Sequence, residues 1–503
     1  MGAGEALAGA VTRRDLLRAG MAATALASVP ALTRSRPAFA APARRAFASA
    51  AQLRDAQAAL DDIGLRATAN PAHLRYADGL ADRLQRAGVR GVTTEGVPLR
   101  RWTPRSSGLD VAGRPVPISS YVPYSGQTPP AGIEAPLRLP GLASGGIAVF
   151  DVADVALAHA AFDSGDYGSP SHPDGYDPAA PYIRPWVSAL AVPTVLENLR
   201  DWGAVGAIGI IDAPAALAAG SYFPYDGVLR GIPSVYVDRD TGAQLRQQAA
   251  AGAPARLTLD AVVDDASSPN VYGFIPGRSD ELVILQSHHD GTNGLEDNGP
   301  EAIVAMCRHL SGLDLPRTVL VLLTTGHFSG RAAGGEAFIT RHKDDLMRRV
   351  VSAVTIEHLG AREWLVDANG TFAATGQPED GGFFASPYDA VIDPARASLQ
   401  AAGFIPDRVM RPFLPDQRAP DWVAWPGDGQ PWWTMAGLPS ANFITGPTYL
   451  LSGGISTVDK TDFTAMRRQA MAFTDLIVKL AAAPKDALWT PRAECSTCRE
   501  PGS

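Results

Sequence analysis

Alternating apolar and polar stretches along the chain predict an α/β protein. Apolar residues at helical spacing mark residues 50–64 and 71–88, and an amphipathic helix is predicted near the end, at 462–482. Short apolar runs without helical spacing predict buried strands at 147–150, 207–211, 234–237, 270–275, 282–285, 318–323 and 350–356. Strands separated by helical stretches are typical of an α/β sheet.

A change of composition indicates a second structural unit within the chain. Residues 41–109 are predicted to be helical for most of their length, whereas residues 113–145 are rich in Pro, Gly and Ser. A polar, Pro-rich stretch at 165–185 predicts a surface loop. We therefore expect a separate unit at residues 113–265.

The first forty residues have the features of an export signal. Arg13 and Arg14 precede an Ala-rich apolar segment at 19–32, and Ala38-Phe39-Ala40 offers a cleavage site between small residues. An unrelated arginine pair is the alternative, but the order of pair, apolar segment and cleavage site favours the twin-arginine route. Residues 1–40 are thus predicted to be a signal peptide of a bacterial protein exported across the cytoplasmic membrane, to be secreted or kept in the cell envelope.

Composition and charge narrow the class of partner. The chain has 503 residues, of which 46% are hydrophobic and 19% charged, an ordinary globular composition. Its net charge is −8; removing residues 1–40, which carry five Arg and two acidic residues, leaves −11. A net negative charge of this size argues against nucleic acid and anionic membranes as partners, because both are themselves negatively charged. No apolar run reaches the roughly 18 residues of a membrane span.

Three cysteines are too few for a disulfide framework. Cys307 falls within a predicted helix and is expected in the core. Cys495 and Cys498 form a C-x-x-C in the polar tail, where a local disulfide is the expected state, because neither a second pair nor a nearby His completes a zinc site.

Candidate metal chemistry lies at the end of the strand predicted at 282–285. The strand continues into His288, His289 and Asp290, and Asp297 follows in a loop before a helical run. Ligands bind beyond the carboxyl ends of the strands in open α/β sheets, so His288, Asp290 and Asp297 could surround a cation. The alternative for His288 is a structural, hydrogen-bonded histidine, and His289 is expected on the opposite face of the strand.

Five segments carry a resemblance to a known family. GIAVFDV (146–152), LRDWGAVGAIGIID (199–212) and IPSVYVD (232–238) resemble the protease-associated (PA) domain inserted in some zinc aminopeptidases. NVYGFIPGRSDELVILQSHHDG (270–291) and EDNGPEAIVAMCRHL (296–310) resemble the M28-type, co-catalytic zinc aminopeptidases themselves.

The resemblance implies a fold and a division of the chain. The fold would be a three-layer phosphorylase/hydrolase-like sheet sandwiched by helices, with an inserted β-rich PA domain. Residues 41–112 and 266–482 would form the peptidase-like domain, 113–265 the insertion and 483–503 a tail.

The resemblance also assigns roles residue by residue. His288 would be a zinc ligand oriented by Asp290, and Asp297 would stand where the family bridges two ions. The family's Glu-Glu pair, a general base and a ligand, is here Gly326-His327. His327 can bind a metal, whereas Gly326 cannot move a proton, so the general base is unidentified.

Two further family positions have changed. Glu357 stands where the family has an aspartate ligand, and Ile455 stands where it has its last histidine ligand. No histidine follows His358 in the chain, so that last ligand is missing. The remaining ligand set is His288, Asp297, His327 and Glu357, enough for one zinc ion rather than two. Glu296 is expected to be a rim carboxylate, and His358 is expected to point away as a buried, hydrogen-bonded residue.

Two functions follow from the resemblance. The first is metal-dependent hydrolysis of a peptide or small amide at an atypical site. The second is a non-catalytic homologue that acts as a binding or scaffold protein. The Trp-rich segment at 422–433 could line a substrate pocket or pack its indoles on the core, and the sequence leaves both open.

Overall fold

The computed structural model describes residues 46–330, 332–413 and 424–493. The predicted signal at 1–40, the Cys495 and Cys498 pair and the first two residues of the Trp-rich segment lie outside these ranges.

The helices and strands follow one another along the chain in an α/β order. The helices are α1 Ala50–Ile63, α2 Pro71–Arg86, α3 His159–Ser164, α4 Pro185–Ser188, α5 Val192–Asp201, α6 Ala215–Ala218, α7 Arg239–Ala250, α8 Gly299–Leu310, α9 Ala333–His342, α10 Asp389–Ala401, α11 Gln430–Thr434, α12 Phe463–Ala482 and α13 Lys485–Leu488. The strands are β1 Arg90–Val111, β2 Arg114–Pro115, β3 Ser120–Tyr121, β4 Ile133–Arg138, β5 Ile147–Asp151, β6 Ala156–Ala158, β7 Pro181–Ile183, β8 Gly206–Ile210, β9 Ser234–Val237, β10 Pro254–Ile275, β11 Ser279–His288, β12 Arg317–Thr324, β13 Val350–Ile356, β14 Arg362–Val366, β15 Phe372–Pro378, β16 Gly381–Ala385, β17 Val409–Met410 and β18 Ser440–Thr445.

A central sheet forms the middle layer, with strand order β17-β16-β18-β13-β11-β12-β10. Strands β18, β13, β11 and β12 are parallel, so their carboxyl ends meet at one edge. One apolar core joins the sheet to α1, α2, α8, α10 and α12, and a second core on the other face includes Phe338 of α9 and Trp432 of α11. The predicted sandwich of a sheet between helices is confirmed.

Two long strands connect this sheet to a second group of strands. β1 and β10 pair antiparallel along their lengths; β10 then continues the sheet through β4, β5, β8 and β9 to β3. The prediction that residues 41–109 are mainly helical is wrong for β1, which contains Pro98 and Pro104. Proline disrupts a helix interior but is tolerated on an edge strand or at a bulge, and the register of β1 shifts just after Pro104.

Residues 113–265 pack into apolar cores and are also held by charges. One core includes Val149, Ile208 and Val235. The stretch at 165–185 is not a simple surface loop, since Asp166 and Arg184 are buried. Asp166 accepts hydrogen bonds from the Val409 and Gly168 amides and from Arg396, and Arg184 pairs with Glu379 and Glu363. Polar residues near both ends of this stretch are therefore buried as ion pairs.

Within the described ranges, no helix combines the length and apolar character needed to cross a bilayer.

Candidate metal centre

The candidate centre lies at the carboxyl edge of the parallel strands. His288 is the last residue of β11, and Glu357 and His358 directly follow β13, its parallel neighbour. Glu296 lies between β11 and α8. One imidazole nitrogen of each histidine and a carboxylate oxygen of Glu296 lie within 4.8 Å of one another.

His358 joins the cluster because its backbone leaves the strand conformation. Its φ is +54°, in the left-handed region that non-glycine residues rarely adopt. The alternation of faces along β13 therefore ends before this residue. The prediction that His358 points away from the site is wrong for this reason.

Both imidazoles have one nitrogen occupied and one free. The Nδ1 of His288 donates to the main-chain carbonyl of Asp290 at 2.9 Å, and that of His358 donates to the carbonyl of Thr445 at 2.6 Å. In a neutral ring the Nε2 atom then carries a lone pair, and neither Nε2 has a hydrogen-bond partner. Burial lowers the pKa of His288 well below 6.5 and that of His358 to about 3, which keeps both rings neutral.

Glu296 supplies the anionic group. The residue is fully buried; its Oε1 lies 3.1 Å from His327 Nε2, and its Oε2 has no hydrogen-bond partner among the described residues. Burial raises its pKa to about 7, although the nearby His327 opposes that rise. The expectation of a rim carboxylate is wrong, because the turn before α8 directs Glu296 into the protein.

His327 lies against the cluster with both ring nitrogens facing carboxylates. Its Nδ1 is 2.8 Å from Asp428 Oδ1 and its Nε2 is 3.1 Å from Glu296 Oε1, and its ring stacks on His288 at 4.0 Å. Burial disfavours the charged ring, but Asp428 and Glu296 raise its pKa well above 6.5. The two carboxylates thus favour the protonated imidazole, which has no lone pair, and the role of His327 as a metal ligand stays a prediction.

Glu357 has one oxygen fixed and one free. Its Oε1 accepts from the Asp428 amide at 2.9 Å and from Asn442 Nδ2 at 3.1 Å. Its Oε2 has no hydrogen-bond partner and lies 3.8 Å from His288 Nε2. Burial and then the charge of Asp428 raise the pKa of this carboxyl. Glu357 Oε2 therefore lies beside the cluster, and the raised pKa favours a proton on this carboxyl.

The predicted ligand Asp297 forms an ion pair with Arg66. Its two oxygens accept from Nε and Nη2 of Arg66 at 2.7 and 2.5 Å, and both side chains are fully buried. A carboxylate held in this bidentate pair has its charge already matched.

Asp290 orients His288 through its main chain rather than its carboxylate. The carboxylate accepts from Thr68 Oγ1 and from the amides of Gly326, at 3.0 Å, and Phe328, at 3.3 Å. The predicted orienting role thus passes to the carbonyl of the same residue. Asp290 instead links strand β11 to the turn that follows β12.

The described part of the Trp-rich segment contributes a carboxylate and packed indoles. Trp425 and Trp432 are fully buried, as expected for indoles that pack on the core. Asp428 reaches both His327 and Glu357 from this segment. Gly427 and Gly429 permit the approach, since an added Cβ would lie 2.8 Å from Glu357 Oε1 or 2.5 Å from Asn442 Oδ1. The Gly427-Asp428-Gly429 sequence is the local signal for this close approach, since two glycines flank the carboxylate.

Two other residues complete the surroundings. Ile455 packs against an apolar core, which agrees with the absence of a ligand at that position. Tyr225, between β8 and β9, stacks on His327 with ring centroids 5.2 Å apart and so covers part of the site.

The donor set of the cluster fits one divalent cation. Two neutral imidazole nitrogens without hydrogen-bond partners among the described residues converge with the Glu296 carboxylate, and each imidazole donates its other nitrogen to a carbonyl, as metal-bound histidines do. Unpartnered buried polar atoms are costly, and a cation would satisfy all three groups. Two nitrogens and one oxygen suit zinc better than magnesium or calcium.

Known structures share the architecture. The chain is similar to a zinc aminopeptidase from Bacillus subtilis, with 17% identity and a TM-score of 0.59 over 86% of this chain and 95% of that one. A peptidase M28 precursor from Shewanella amazonensis matches with 16% identity and a TM-score of 0.61 over 86% and 93%. An aminopeptidase from Aneurinibacillus sp. strain AM-1 matches with 14% identity and a TM-score of 0.53 over 86% and 93%.

No family model and no curated protein matches the chain. At these identities the likeness to solved structures shows the fold alone. It confirms the M28-like, zinc-aminopeptidase fold that the sequence motifs predicted.

Proposed function

We propose that the protein is a single-metal hydrolase that cleaves peptide or small amide bonds. One zinc ion would be held by His288, Glu296 and His358. The observation that carries the proposal is the convergence of three buried ligand groups, two of them imidazole nitrogens that have no hydrogen-bond partner among the described residues. This proposed set keeps only His288 from the predicted ligands His288, Asp297, His327 and Glu357; Glu296 and His358 are added, and Glu357 is given a different role.

The chain's own residues would do the remaining work. When bound, the cation acts as a Lewis acid toward a substrate carbonyl and makes water more acidic. Glu357 holds and moves the proton at Oε2, the role that Gly326 cannot perform, while Asp428 and Asn442 fix its other oxygen. His327, held as a cation, balances the negative charge of Glu296 and Asp428.

A peptide or small amide substrate is supported by the fold shared with aminopeptidases. The acidic chain would also attract the cationic amino terminus of a peptide. These two features favour an exopeptidase over an enzyme that acts on nucleic acid.

The decisive experiment separates metal binding from proton transfer. Zinc content is measured by elemental analysis, and hydrolysis is followed on a panel of aminoacyl amides and dipeptides, for wild type, His358→Gln and Glu357→Gln. We expect about one zinc in wild type, loss of zinc in His358→Gln, and retained zinc with a 10²–10⁴-fold loss of rate in Glu357→Gln.

Other outcomes have defined meanings. Loss of zinc from Glu357→Gln would make Glu357 a ligand, as the sequence first suggested. No zinc in reconstituted wild type would contradict the proposal.

A second candidate function is a non-catalytic homologue that binds or scaffolds. It is favoured by the burial of the three ligand residues, none of which is more than 1% exposed. In that case wild type would bind zinc firmly and hydrolyse no member of the panel, and Glu357→Gln would change nothing.

We also infer that the protein is exported by the twin-arginine route and that residues 113–265 form a PA-like insertion. The arginine pair with its apolar segment, and the three matching segments of the insertion, support these assignments. Loss of export of a reporter fusion after Arg13→Lys with Arg14→Lys tests the first.

A further inference from the structure

Arg66 lies in a cage made entirely of oxygen atoms. Its Nε and Nη2 donate to the two oxygens of Asp297, and Nη2 also donates to the carbonyl of Asn293 at 2.7 Å. Its Nη1 donates to the carbonyls of Leu60, at 2.8 Å, and Gly64. All five N–H groups of the guanidinium thus have an oxygen acceptor, and the residue has no exposed surface.

The cage draws its oxygens from distant parts of the chain. Leu60 and Gly64 belong to the end of helix α1, where carbonyl groups point outward and favour a positive charge. Asn293 and Asp297 belong to the turn between β11 and α8. One carboxylate and three carbonyls around a buried positive charge are the ligand types that hard cations prefer.

The cage adjoins the proposed zinc site. Glu296 and Asp297 are consecutive, and both carboxylates approach Gly291. An added Cβ on Gly291 would lie 2.4 Å from Glu296 Oε2 and 2.7 Å from Asp297 Cγ. The two neighbouring carboxylates therefore face different groups: Glu296 faces the histidine cluster, and Asp297 faces the guanidinium of Arg66.

We propose that Arg66 is the built-in cation of a second site, which withholds Asp297 from metal coordination and limits the centre to one metal ion. This inference rests on the proposed zinc site at His288, Glu296 and His358. Beyond that site, Arg66 would determine how many metal ions the protein binds. Arg66 is a positioning residue here, since it acts on metal binding through Asp297.

Metal stoichiometry tests the proposal directly, without any measure of activity. Wild type and Arg66→Ala are loaded with zinc, dialysed against calcium and analysed for both elements. We expect about one zinc and no calcium in wild type, and about one zinc plus one calcium in Arg66→Ala, because the vacated oxygens suit calcium. Calcium, or millimolar guanidinium, should also raise the melting temperature of Arg66→Ala and leave that of wild type unchanged.

A second variant serves as control and as a safeguard against misfolding. Arg66→Met combined with Asp297→Leu replaces the buried pair with apolar groups, which is tolerated better than removal of one partner. We expect this variant to keep its zinc and to take up no calcium. If Arg66→Ala does not fold, the zinc content of this double variant still shows whether Asp297 is needed for zinc binding.

The failures are distinguishable. If wild type binds no zinc, the proposed function is overturned. If wild type binds one zinc but the double variant loses it, Asp297 is a ligand and the role of Arg66 is overturned. The same holds if folded Arg66→Ala neither binds calcium nor responds to guanidinium.

Discussion

At the residue scale, the site depends on backbone positions that only glycine occupies without strain. Gly427 has φ +102°, and an added Cβ would lie 2.8 Å from both Glu357 Oε1 and Asn442 Oδ1. Gly376 has a similar φ of +87° but open space around its Cβ position. A comparison of alanine variants at these two positions therefore separates the free-energy cost of the left-handed backbone from the cost of a collision with Glu357 and Asn442.

We expect Gly427→Ala to destabilise the protein more than Gly376→Ala. The left-handed backbone should cost about 1–2 kcal/mol in each variant, and collision with Glu357 adds to it in Gly427→Ala alone. Urea unfolding measures the difference, and elemental analysis shows whether zinc binding survives. Equal losses of stability in both variants would contradict a close approach of the loop to Glu357.

At the element scale, ion pairs hold helix α3 against the central sheet. Asp380, just before β16, accepts from His159 of α3 and from Arg408 at 3.1 Å, and Arg408 also pairs with Asp163 of α3. Burial opposes the charged form of Asp380, but the hydrogen bond of His159 and the charge of Arg408 lower its pKa below 3.8. The folded state therefore favours the ionised carboxylate.

This lowered pKa sets the pH dependence of the contact. An acid whose folded-state pKa lies below its unfolded value stabilises the fold above the unfolded pKa, and the gain disappears as pH falls through the folded value. Asp380→Asn should thus cost roughly 1–3 kcal/mol at pH 7 and progressively less below pH ~4. Urea unfolding of both proteins across this range measures it.

The control is Asp344→Asn, which removes an exposed ion pair with Arg348. Its effect should be near zero at every pH. A constant difference between wild type and Asp380→Asn from pH 7 to pH 3 would show that the carboxylate is not held in its charged form.

At the scale of the whole molecule, regular elements were readable from the sequence and contacts between distant segments were not. Apolar runs located β5, β8, β11, β12 and β13 because a buried strand needs an unbroken run. Only part of the candidate site could be predicted from the sequence. His288 follows from its place at a strand end, whereas the inward turn of His358 depends on one dihedral angle, +54°, that no local pattern specifies.

Arg66 illustrates the same limit. Its partner Asp297 is 231 positions away in the chain, and only the folded structure brings the two together. A ligand set inferred from motif spacing therefore counted Asp297 as available for metal. Glu296, one residue earlier, has the carboxylate that faces the histidine cluster.

Metal binding should couple to the stability of the whole fold. The proposed ligands come from β11, from the turn before α8 and from the end of β13, so a bound ion ties three segments together. A ligand that binds only the folded state at 100 times its dissociation constant stabilises it by about 2.7 kcal/mol. We expect zinc removal by a chelator to lower the melting temperature and zinc addition to restore it, as measured by differential scanning calorimetry.

His288→Asn and Glu296→Gln should lose this response to zinc. His309→Asn should keep it, because His309 lies in the last turn of α8 and is not in the cluster. A melting temperature of wild type that does not change between chelator and zinc would count against a metal centre at this edge of the sheet.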